Sequence, residues 1–168
     1  MIIFHLSGNR AFSTDKNAVD GLYNNRHYGK LVNGKVFLSL LEAAYLTERG
    51  KIEVRDGKKK LSLEEIMKLG RKGDELFDAK YLVYKDLRDR GYTVKSGLKF
   101  GSHFRVYRRG MEEHAQWLVW VVPEHKTLTP HDVTARVRVA HGVRKEMIMA
   151  VVDDDGDVVY YRIEWMKF

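Results

Sequence analysis

Apolar and polar residues alternate over positions 1 to 13 and break at Gly8-Asn9-Arg10, a pattern that predicts a short opening hairpin. Thr14-Asp15 can then cap a short helix with Ala18, Val19, Leu22 and Tyr23 on one face, ending near Gly29. Another extended piece turns at Asn33-Gly34. Ser39 with Glu42, and Ser62 with Glu65, are capping boxes, in which each side chain satisfies a free backbone N–H at a helix start. The first opens a helix that buries Leu40, Leu41, Ala44 and Tyr45 and stops at Gly50. The second opens one carrying Ile66, Met67 and Leu69. Between them, Lys51 to Val54 leads to the turn Asp56-Gly57.

From Asp74 the apolar positions Leu76, Phe77, Tyr81, Tyr84 and Leu87 recur at helical spacing, with Gly91 as the stop. Strands are expected at 93–94, 100–107 and 117–122. Thr129-Pro130 starts a further helix that ends at Gly142, since proline fits the first helical position. Strands over 146–152 and 158–165 close the chain around the acidic turn Asp153-Asp154-Asp155-Gly156-Asp157. Gly70 and Gly73 mark a boundary. The expectation is two domains of α/β (α+β) class: a small mixed domain over 1–72, and a central mixed sheet flanked by helices over 73–168.

Composition adds a partner class and removes several chemistries. With 168 residues, 44% of them hydrophobic, the chain can bury a real core. A formal charge of +7 is a surplus that a polyanion can neutralise, so nucleic acid leads the candidate partners. There is no cysteine, which excludes disulfides, thiolate metal sites and thiol nucleophiles, and suits a reducing or a hot environment. Apolar runs reach only about six residues, against about 20 for a membrane span. Met1 to Leu6 lacks the features of a signal peptide, so a cytoplasmic protein is expected, away from membranes.

The candidate chemistry gathers around Gly97 to Val122. One strand brings Tyr107 to a glycine-containing turn, and the next begins just after His114, so a phenol and an imidazole would stand at one end of a hairpin. Lys145, after the following helix, can add a fixed cation. Taken singly, these would be a strand aromatic, a solvated turn residue and a surface charge. The segments Gly91 to Gly101, Phe104-Arg105-Val106-Tyr107, His114, and Val143-Arg144-Lys145 leading into 147–152 resemble the catalytic domain of the tRNA-splicing endonucleases, particularly the archaeal ones. The match covers about 74–168 with specific motifs and is looser before that. Where the family often has a serine after the histidine, this chain has Ala115.

The resemblance implies metal-independent cleavage of precursor tRNA at bulge-helix-bulge sites, with no cofactor. Tyr107 would deprotonate the 2′-OH, His114 would protonate the leaving 5′-oxygen, and Lys145 would stabilise the charge on phosphorus, leaving a 2′,3′-cyclic phosphate and a 5′-OH. An imidazole, with its ordinary pKa of about 6.5, suits the acid role; a phenol, at about 10, needs neighbouring cations such as Lys145 and Arg105 to act as a base. The resemblance further implies that Arg138 and Trp165, the latter serving a partner subunit's site, sandwich a flipped-out bulge base. Read from the residues alone, Arg138 is also a solvated helix arginine and Trp165 also packs with Val159, Tyr161 and Ile163. Likewise, Asp153, Asp154, Asp155 and Asp157 would plug a basic groove on a neighbour and hold a homotetramer, with a second subunit type as the other option; a polar hairpin turn is the plain alternative.

Other sites are weaker. The acidic turn lacks calcium-loop spacing, His103, His125, His131 and His141 lack zinc-ligand spacing, and Gly97 with Gly101 forms no phosphate loop. Lys58-Lys59-Lys60 and Arg108-Arg109 are possible phosphate contacts or solvated faces. Two other function classes stay open: a non-catalytic RNA-binding subunit, and a metal-dependent DNA nuclease.

Overall fold

The structure is a computed structural model that describes residues 1–111 and 113–168. It divides into two compact units, Met1–Tyr81 and Leu82–Phe168.

The first unit holds a six-stranded mixed sheet. Its strands are β1 (Ile2–Ser7), β2 (Arg10–Ser13), β3 (Lys30–Val32), β4 (Lys35–Ser39), β5 (Ile52–Asp56) and β6 (Lys59–Lys60), in the order β3-β4-β2-β1-β5-β6. All pairs are antiparallel except β1 with β5. Alternation buries Phe4, Ala11, Val36, Leu38, Ile52 and Val54 on one face. Helix α1 (Leu40–Glu48) lies on that side and packs against α2 (Leu63–Gly73). Both expected capping boxes form: Ser39 and Ser62 accept from the backbone N–H of Glu42 and Glu65 at 3.2 and 3.1 Å, and those carboxylates accept in return at 3.0 and 3.2 Å. Losing either serine costs about 1 kcal/mol. The short helix expected after Thr14 is a π-helical turn, Ala18–Asn24, with its N–H groups reaching one residue further back than in an α-helix.

The second unit holds β7 (Thr93–Ser96), β8 (Phe104–Tyr107), β9 (Trp117–Pro123), β10 (Glu146–Val152) and β11 (Val158–Ile163), in the order β11-β10-β9-β8-β7. Only β9 and β10 run parallel. Helix α3 (Phe77–Asp89) crosses the division between the units, and α4 (Pro130–Gly142) packs against β10. Strand β9 is buried from Leu118 to Val122. Leu118, Trp120 and Val122 meet Val137 and Ala140 of α4, while Val119 pairs beside Phe104, which packs on Tyr84 of α3. A strand covered on both faces has no polar alternation to show, which explains the apolar run at 117–122. Among the described residues no helix is long and apolar enough to cross a membrane.

Two strand boundaries need correction. The strand expected over 100–107 begins only at Phe104, because Leu98–Phe100 forms a 3-10 turn closed by Gly101 at φ +68°. Gly97 opens that turn so close to the Phe104 backbone that a Cβ would stand 2.7 Å from its carbonyl oxygen. The last strand stops at Ile163, which leaves Trp165 beyond the sheet.

Candidate active site

Strand direction creates the site. β8 runs antiparallel to β9, and β10 runs parallel to it, so the C-terminal end of β8 and the N-terminal ends of β9 and β10 share one edge. Val106, Trp117 and Glu146 are register partners, so Tyr107, Gln116 and Lys145 follow as the next row outward. Gln116 clips this row together: its N–H donates to the Val106 carbonyl and its own carbonyl accepts from the Glu146 N–H, both at 3.0 Å. His114 is exposed, two residues before Gln116.

Lys145 is fixed from three directions. Its backbone N–H closes the end of α4 on the Ala140 carbonyl at 2.9 Å, and Arg144 before it takes the left-handed backbone at φ +58° that turns the chain from helix to strand. Its Nζ donates to the Ala115 carbonyl at 2.8 Å and lies 5.5 Å from the centre of the Phe100 ring. An ammonium has three donors, so two remain for an anion. The half-buried Tyr107 is held by Arg105, whose Nε–H donates to the phenol oxygen at 2.9 Å while the same guanidinium donates to the Ser96 carbonyl. A cationic donor at that oxygen stabilises negative charge developing there.

The structure thus brings Tyr107, His114 and Lys145 to one sheet edge. Arg138 is exposed on α4. Trp165, 53% exposed, rests on His141 with ring centres 4.4 Å apart. His141, Lys145, Arg162 and Trp165 line a shallow cleft of about 90 Å³. Ile163, the last residue of β11, lines the same cleft, so Trp165 stands just past the strand end.

In the acidic turn Asp153 works inward, its Oδ1 accepting from the N–H groups of Asp155 and Asp157 at 2.9 Å each. Asp154, Asp155 and Asp157 are exposed. His125 Nε2 sits 2.8 Å from both Asp154 carboxylate oxygens, and this bond, aided by Glu124 at 3.6 Å, holds the imidazole above its ordinary pKa. Glu124, His125 and Asp154, all three on the surface, form a group able to hold a metal. A raised histidine pKa means that the latch is intact below about pH 6.5 and is lost as pH climbs through the raised value. NMR titration should therefore place His125 above the ordinary value, and Asp154→Asn should bring it back. An unshifted His125 would contradict the latch.

Four features escaped the sequence reading: the Ala115 carbonyl, the Gln116 clip, the ring of Phe100 and the His125–Asp154 pair. The last two join residues 45 and 29 apart, and backbone groups leave no residue signature. The His103 contact is of the same kind, its Nδ1 accepting the Val121 N–H at 2.9 Å across 18 residues of sequence.

Residues 77–160 match the tRNA intron endonuclease, catalytic C-terminal domain, and residues 2–67 match the tRNA intron endonuclease, N-terminal domain. A tRNA-splicing endonuclease of Thermococcus kodakarensis is 80% identical over 168 residues, 100% of both chains. That of Pyrococcus abyssi is 65% identical over 168 residues, 100% of this chain and 98% of the relative. That of Methanothermobacter thermautotrophicus is 44% identical over 149 residues, 87% and 86% of the two chains.

Proposed function

The chain belongs to the tRNA-splicing endonuclease family along its whole length, and from that premise we propose that it cuts precursor tRNA at bulge-helix-bulge sites through Tyr107, His114 and Lys145. The observation that carries the reading is the shared edge of β8, β9 and β10, where the Lys145 amine is tied to the carbonyl next to His114. Tyr107 takes the proton of the 2′-OH, whose oxygen attacks the adjacent phosphorus. The 5′-oxygen leaves with a proton from His114, while the free donors of Lys145 meet the non-bridging oxygens. Bonds balance as one P–O bond formed and one broken, which gives a 2′,3′-cyclic phosphate and a 5′-OH without a cofactor. Residues 73–168 carry this chemistry and 1–72 support it. The test is cleavage of a minimal bulge-helix-bulge RNA by the purified chain in EDTA: cutting is expected, and none would overturn the reading.

Two cuts in one intron need two sites at a fixed separation, so a chain with one triad must assemble. A homotetramer in the cytoplasm fits a chain that carries both the triad and the acidic turn, with Arg138 and Trp165 stacking on either side of a flipped-out bulge base. Exposed Asp154, Asp155 and Asp157 on a chain of net charge +7 are a means of self-docking. Replacing these three by asparagine should lower the mass in solution from tetramer to smaller species by light scattering. An unchanged mass would remove the plug from the account. Asp153 is left in place in that variant because it shapes the turn.

A further inference from the structure

The sheet of the first unit has a second face, opposite the one that buries Phe4, Ala11, Val36, Leu38, Ile52 and Val54, and His5, Arg10, Lys30, Lys35 and Lys60 are exposed on it. A row of register partners crosses it on all six strands: Lys30, Phe37, Phe12, His5, Arg55 and Lys60. Phe12 and Phe37 are half-buried at its centre, with ring centres 5.8 Å apart. His5 stands 5.8 Å from Phe12 on the far side. Two strand positions along, Arg10 and Lys35 return to the same face and lie over the rings, at 4.6 Å from Phe37 and 5.1 Å from Phe12.

The charge on this face is one-sided. Its strand carboxylate, Glu53, is taken up by Arg55 and Lys60. Arg10, Lys30 and Lys35 are exposed and have no carboxylate partner among the described residues. Adjacent rings on an open sheet offer stacking surface that any base can use, and unpaired cations beside them suit the phosphates between bases. A cation's hold on a ring is weak where water has access, so a base can take the ring while the cation turns to a phosphate.

We propose that this face binds single-stranded RNA, with bases stacked on Phe12 and Phe37 and phosphates paired with Arg10, Lys30 and Lys35. The proposal draws on the chain's action on RNA and assigns the first unit a grip on strand regions of the substrate, using none of the catalytic residues. It is tested on the intact protein by fluorescence anisotropy with a short labelled oligouridylate, which contains no splice site. Phe12→Ala/Phe37→Ala should weaken binding by at least about tenfold. Arg10→Gln/Lys35→Gln, which keeps the rings and their packing, should lower the slope of log affinity against log salt by about 1.4, from two phosphate contacts at ~0.7 each on a single strand. Both variants should cut a minimal bulge-helix-bulge RNA with kcat within twofold of the parent. Affinity and slope unchanged in the charge variant would overturn the proposal. So would a fall in oligomer mass accompanying any loss of affinity, which would make the face a protein contact. Failure of the parent to cut at all would instead strike the catalytic reading, since the oligouridylate measurement needs no cleavage.

Discussion

His114→Ala will slow cleavage of a bulge-helix-bulge RNA by roughly 10²–10⁴-fold, the usual contribution of a positioned acid, and leave RNA affinity within about twofold. The alkoxide that leaves from the 5′ side is a strong base and cannot depart at neutral pH without a proton, so loss of the donor falls on the chemical step. His114 is exposed and makes no hydrogen bond among the described residues, so its truncation should leave the fold and the melting temperature unchanged. A substrate with sulfur in place of the 5′-oxygen separates chemistry from structure, because a thiolate leaves without protonation. The variant should cut that substrate nearly as fast as the parent protein does. Equal impairment on both substrates would remove His114 from the acid role.

Lys145→Ala should lower kcat by about 10²–10³-fold, the scale on which a single donor to a developing oxyanion acts. Here one change removes two things. The fixed charge goes, and the Ala115 carbonyl loses the donor that holds it at 2.8 Å beside His114. A modest stability loss of about 1 kcal/mol should accompany the kinetic effect. Lys145→Arg restores a charge but presents a planar fork where a compact ammonium packs 5.5 Å from Phe100, so it should recover only part of the rate. Steady-state kinetics reads the prediction: kcat unchanged in the alanine variant would leave Lys145 with a structural role only.

Local chemistry was legible in the sequence where local chemistry decides the structure. Ser39 with Glu42 and Ser62 with Glu65 form their boxes as the residues predict, and α4 begins at Pro130 behind Thr129. Elsewhere the deciding contact is distant. Phe100 has the character of a strand residue, yet the tight approach of Gly97 to Phe104 coils 98–100 into a turn first. The parallel pairing of β1 with β5 joins strands about 50 residues apart, and no periodicity reports it. The positions of Tyr107, His114 and Lys145 could be named from a motif, but the row that unites the edge depends on the register of Val106, Trp117 and Glu146. Phe12 and Phe37 gave no sign of their common face, because each is simply one half of an alternating strand until the pairing is known.

If Tyr107, His114 and Lys145 act as proposed, this edge cuts RNA by attack of the RNA's own 2′-oxygen. Mass spectrometry of the fragments released from a minimal bulge-helix-bulge RNA in EDTA tests it most directly. One new end should carry a 2′,3′-cyclic phosphate and the other a 5′-OH; a 5′-phosphate, or ends that form only when magnesium is restored, would rule out 2′-oxygen attack at this edge.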